Sequence, residues 1–370
     1  MKKLYGILFI ILCFLFNCHP VSATEISLED IYKEQYDAVG VDELFDALPN
    51  DVASELEKLD LSNYDFSKQA FFKPENIFAI TNKFIKSGCK KPLASAISIL
   101  AILLFSSSVG VLSTNCKTID FVVAVGITVA AVLPVSESII ACIDALKAMA
   151  TFMMTFIPML AALVASKGRT LTSIGFSSVA LFITEGVNML YTFVVVPLSG
   201  IQLSVAVSSA VMPKINIESI SKTFKKISIW VLSLASTVLL LTLSVQTIIS
   251  VPADNLTSKA TKFIIGTAVP VVGSTVSEAL NTVRGCVAVL SSSVAVYGVF
   301  GLFLIVLPII AELFLWRVSL GVSAALSEVL NQNKSASLLR SADSAIAVVL
   351  GVMILVAVLF IISVTLVAVV

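Results

Sequence analysis

TKFIIGTAVPVVGSTVSEALNTVR, residues 261–284, is the stretch that decides how this chain must fold. An apolar run is interrupted by Pro270, Gly273 and a group of Ser and Thr, and then carries Glu278. Pro270 removes one helical hydrogen bond and crowds the preceding turn. In hydrocarbon, the freed backbone groups need partners in protein or water. A carboxylate near the middle of a bilayer costs about 2.5 kcal/mol or more, so Glu278 is expected to face a bundle interior or a wet cavity. Two readings stay open. Either the segment lines a path or a helix–helix joint, or Pro270 is an ordinary kink and Glu278 sits at a helix end near the interface.

The rest of the chain agrees with a bilayer. It is 58% hydrophobic and 13% charged, with a mean hydropathy of +1.02; soluble proteins carry about 25% charged residues. Long apolar runs recur and strand alternation is absent, so the expected class is all-α, a polytopic helical membrane protein. The formal net charge of zero hides an asymmetry. Residues 25–82 hold 14 acidic and 4 basic side chains, whereas residues 92–370 hold 10 acidic and 14 basic ones. The six cysteines form no C-x-x-C pair, and the only histidine, His19, lies near the N-terminus. That excludes histidine zinc sites and Ser-His-Asp triads from the rest of the chain. No catalytic residue, cofactor or metal is expected.

In chain order, residues 1–23 read as a signal peptide. Lys2 and Lys3 precede an apolar core from Leu4 to Phe16, and Val21-Ser22-Ala23 offers cleavage after Ala23. A lipoprotein reading through Cys18 is the poorer alternative, because Asn17 is not small. Residues 24–91 are expected to be an acidic, extracytoplasmic helical head, and residues 92–370 a multi-span membrane domain. The apolar blocks of that domain are 93–114, 121–143, 149–165, 174–212, 227–250, 263–280, 287–316 and 345–370. Six to nine spans follow, with Pro197-Leu198-Ser199-Gly200 as a hinge inside the overlong fourth block. The basic loops at 167–169 and 214–226 are expected to be cytoplasmic, and the loop around Asp254 outside. Lys83, Lys86, Lys90 and Lys91 disagree, since they flank the first span on its outer side.

Within the body, Asp144 and Lys147 can neutralise each other at i,i+3, and Glu312 and Arg317 can snorkel outward at an interface. Glu137 and Glu185 are harder to dismiss, because each lies among apolar neighbours beside Ser136 and Ser138, or Thr184 and Gly186. With Pro270, Gly273 and Glu278 they are the candidate path or packing residues. A weak internal echo pairs Pro134-Val135-Ser136-Glu137 with Pro270 and Glu278, and Pro158 with Pro308, the pattern of a repeat around a midplane site. Runs such as Ser106-Ser107-Ser108 and Gly298-Val299-Phe300-Gly301 allow close helix packing.

Four blocks carry a family resemblance: MATFMMTFIPMLAALVASKG at 149–168, VVVPL at 194–198, LSVQ at 243–246 and, most specifically, TKFIIGTAVPVVG at 261–273. Their order, from about residue 92 onward, resembles stage III sporulation protein AE. The final helix stops on Val370 without a polar tail, so the chain is expected to be short at that end. The resemblance implies a multi-pass protein of the mother cell in an endospore-forming bacterium. Its implied partners are the other stage III A proteins and a forespore channel partner, in a channel or secretion-like complex that supports late forespore gene expression. Nucleic acid is not an expected partner, and a homo-oligomer is left open. The competing reading is a secondary transporter or permease in which Glu137, Glu185 and Glu278 couple ion or solute movement.

Overall fold

The computed structural model describes Pro49, Asn82, residues 88–112, 117–211, 223–242, 244–245, Asp254 and 273–369. The expected signal peptide, nearly all of the expected head, and Pro270 lie outside that set. Among the described residues, every regular element is helical. The elements are α1 (Lys90–Leu112), α2 (Lys117–Ile127), a π-helical turn π1 (Thr128–Val132), α3 (Leu133–Ser166), α4 (Thr170–Leu190), a second turn π2 (Tyr191–Val195), α5 (Val196–Val211), α6 (Thr223–Thr242), α7 (Gly273–Val329) and α8 (Asn333–Val369). Among the described residues, six stretches are long and apolar enough to cross a membrane: Lys90–Val109, Phe121–Ser166, Thr170–Val205, Thr223–Thr242, Val294–Val329 and Asn333–Thr365.

Two of the expected breaks are absent. Blocks 121–143 and 149–165 form one helical run of 46 residues, about 69 Å along its axis at 1.5 Å per residue. Asp144 and Lys147 do not interrupt it. They stand one turn apart, 3.7 Å from each other, on the exposed face. The expected hinge at Pro197 is also missing, because π2 and α5 continue α4 without a break. A proline crowds the carbonyl four residues before it. For Pro197 that residue is Phe193, inside π2; for Pro134 it is Ala130, inside π1. The wider π turn takes up the clash. The freed carbonyl of Ala130 accepts a hydrogen bond from the buried Ser95 hydroxyl of α1 at 2.5 Å, the remedy a membrane-embedded proline requires. The structural echo of Pro134 is thus Pro197. Pro158 and Pro308 each lie inside a long helix, α3 and α7.

α3 packs against α4 and α7, α7 against α8 and α1, and α8 against α5. The Phe156–Gly298 and Ser138–Glu312 contacts fall in opposite order along α3 and α7, so these two helices run antiparallel. The core centres on Trp316, Phe152, Phe156 and Phe360, all fully buried. Phe152 and Phe156 stack with centroids 5.7 Å apart and planes 10° from parallel. Glycine at 298 is what admits the Phe156 ring, since any Cβ there would overlap it. Lipid tails are as apolar as these side chains, so such close packing, rather than hydrophobic burial alone, holds the bundle.

The expected sidedness needs correction. Asp254 is buried and accepts hydrogen bonds from the backbone N–H of Leu171 (3.0 Å) and of Thr172 (2.6 Å). It therefore caps the start of α4, beside the 167–169 turn, and the two loops expected on opposite sides lie at one end of the bundle. The unbroken α4–π2–α5 run has the complementary effect. It carries the chain away from Lys167 and Arg169 before α6 begins near Lys225 and Lys226. Lys225 and Lys226, expected on the same side as Lys167 and Arg169, thus follow a run that makes no turn at Pro197. The expectation rested on loop charge alone.

Candidate functional site

The polar side chains that the fold brings together inside the bundle lie where α1, α3 and α7 meet. On α3, Val135, Ser138, Ile139 and Cys142 recur at helical spacing and are all buried. Successive helical residues point about 100° apart, so the inward turn of Ser138 directs Glu137 outward. On α7, Glu312 and Trp316 are four residues apart and share a face. The Ser138 hydroxyl donates to Glu312 Oε1 at 2.6 Å, with the Pro134 carbonyl a longer alternative acceptor at 3.2 Å. The Trp316 indole Nε1–H donates to Ser138 Oγ at 2.8 Å. Ser138 and Trp316 are buried and Glu312 is half-buried. The Ser–Glu bond has the short length of a charge-assisted O–H···O⁻ contact. Next to it, Ser319 of α7 donates to the Pro92 carbonyl of α1 at 2.9 Å. Three helices are thereby tied at one level.

The residues singled out from sequence occupy other places. Glu137 pairs with Lys91 at 3.5 Å, its side chain 65% exposed and that of Lys91 62% exposed. Glu185 is exposed and accepts a bond from the Asn188 amide at 3.3 Å. Gly273 is the first residue of α7, and Glu278 lies one turn later on that helix; the Glu278 side chain is outside the described set. The Asp144–Lys147 pair forms as expected. Glu312 does not snorkel outward, because Ser138 and Trp316 hold it. Arg317 turns instead to Asp343 of α8 at 3.0 Å. Sequence reasoning missed Ser138, Trp316 and Asp343. A buried indole needs an acceptor, but the one that Trp316 takes, Ser138, is 178 residues away along the chain.

At the Asp254 end, burial, and secondarily the Arg169 guanidinium, hold the Lys167 ammonium below the usual lysine range. Among the described residues, no three His, Cys, Asp or Glu side chains come together in a way that could hold a metal ion. The α1–α3–α7 joint offers one carboxylate already engaged by a hydroxyl. That arrangement fixes the three helices to one another.

The model of the stage III sporulation protein AE family matches residues 88–370. Stage III sporulation protein AE of Bacillus subtilis (strain 168) is 28% identical over 156 residues, which are 42% of this chain and 39% of that protein. The aligned region thus spans well under half of the curated relative. No solved structure matches.

Proposed function

The chain belongs to the stage III sporulation protein AE family, and from that premise we propose that it is a membrane subunit of the stage III A channel or secretion-like complex between mother cell and forespore. The observation that carries this reading is the family match over residues 88–370, a region whose described regular elements are all helical and mostly long and apolar. The bundle supplies six membrane-length apolar helices and interior polar groups that tie helices together. In this reading the protein works as a scaffold or conduit rather than as a catalyst. It resides in the mother-cell-derived membrane around the forespore, with its N-terminal acidic head outside the cytoplasm.

The test is genetic and biochemical together. Removing the gene from the source organism should abolish late forespore gene expression, and affinity-tagged protein from sporulating cells should bring down other stage III A proteins. Normal sporulation without it, or a chain recovered alone from sporulating membranes, would refute the proposal. Solute uptake by reconstituted vesicles that is lost in Glu278→Gln would favour a carrier in its place.

A further inference from the structure

Helix α5 packs along α8 and buries Ser199 and Gln202, continuing the stripe of Val195 in π2. Ser199 satisfies itself by donating to the Val196 carbonyl at 3.0 Å, and Ser204 likewise to Gly200 at 2.9 Å. Gln202 does not. It is 1% exposed, and both its Nε2 and its Oε1 are buried without a hydrogen-bond partner. A carboxamide carries two N–H donors and an acceptor oxygen. Burying such a group unpaired is unfavourable, and leucine at this position would avoid that cost. The early turns of α8 are polar for a membrane-length helix. Ser335 and Ser341 are buried there, between Lys334 and Asp343.

We propose that Gln202 is the centre of a hydrated site in the α5–α8 joint, and that water reaching the bundle from the aqueous phase is what it holds. Both ends of the amide are open, so the guest must accept from nitrogen and donate to oxygen. A cation would serve only the oxygen, and an anion only the nitrogen. Water does both, and polar groups inside membrane bundles generally face such wet cavities. The site does not depend on the sporulation reading. It is distinct from the α1–α3–α7 joint, where the Ser138 hydroxyl already serves Glu312 and the Trp316 indole.

The experiment uses the full chain, with its own cysteines replaced, in membranes opened to reagent on both sides. Single variants Gln202→Cys, Ser199→Cys, Leu338→Cys (a dry interior control) and Asn333→Cys (an exposed control) are treated with a charged methanethiosulfonate, which needs a hydrated, ionised thiol. Gln202→Cys should react about tenfold or more faster than Leu338→Cys and approach Asn333→Cys. Should Gln202→Cys fail to accumulate, Ser199→Cys, on the same stripe and nearly isosteric, decides the matter by the same criterion. Reaction no faster than that of Leu338→Cys in the variants that fold would overturn the proposal.

Discussion

Glu312 and Glu137 stand at one level of the bundle and behave as opposites. Glu312 is turned inward, held by the Ser138 hydroxyl beside a buried indole, whereas Glu137 is turned outward to a lysine and mostly exposed. The small polar neighbours of Glu137 suggested an embedded carboxylate, yet Ser138 is the residue that faces in. Adjacency along a helix is a rotation of about 100°, so Ser138 can face in while Glu137 beside it faces out. The carboxylate that could be dismissed as interfacial is the one that joins helices.

That contrast can be broken or sharpened by substitution, read as unfolding free energy in detergent. Trp316→Ala should have the largest effect. It removes a fully buried indole and should cost about 3–5 kcal/mol; a loss under about 1 kcal/mol would show that the joint is not packed as described. Gly298→Ala tests the same α3–α7 contact farther along. Its new methyl would overlap the Phe156 ring, at a cost of about 1–3 kcal/mol, and Phe156→Leu added to it should recover part of that loss. Ser138→Ala leaves Glu312 without its donor and Trp316 without its acceptor, and should cost about 1–3 kcal/mol. Asp254→Ala should cost about 0.5–2 kcal/mol by uncapping α4. An unchanged midpoint would undo the placement of the Asp254 loop beside the 167–169 turn. Smallest of all, Lys91→Gln or Glu137→Gln should stay within about 1 kcal/mol, as exposed ion pairs do.

Much of this architecture was legible in the letters. Composition and apolar block lengths gave the all-α membrane class and a span count whose lower bound is the six helices found. The Asp144–Lys147 pair followed from i,i+3 spacing alone. Continuity of the helices did not follow, because Asp144 and Lys147 divide one apolar run in the sequence and Pro197 reads as a hinge. At Pro134 and Pro197 a π turn absorbs the clash, and at Pro134 a serine from another helix serves the freed carbonyl. The serine lies 35 residues from Ala130 along the chain, so it could not be read from the residues around the proline. Sidedness failed for another cause, since loop charge does not show that Asp254 caps α4 beside the 167–169 turn. The site was legible only in part. Hydropathy finds a carboxylate in an apolar run, but the face it takes depends on a partner such as Ser138, 174 residues away along the chain.

The most direct test is a pair of double-mutant cycles, one on Ser138→Ala with Glu312→Gln and one on Lys91→Gln with Glu137→Gln. The account predicts a coupling of about 1 kcal/mol or more in the first and about 0.5 kcal/mol or less in the second. A first cycle near zero, or a second one larger than the first, would contradict it.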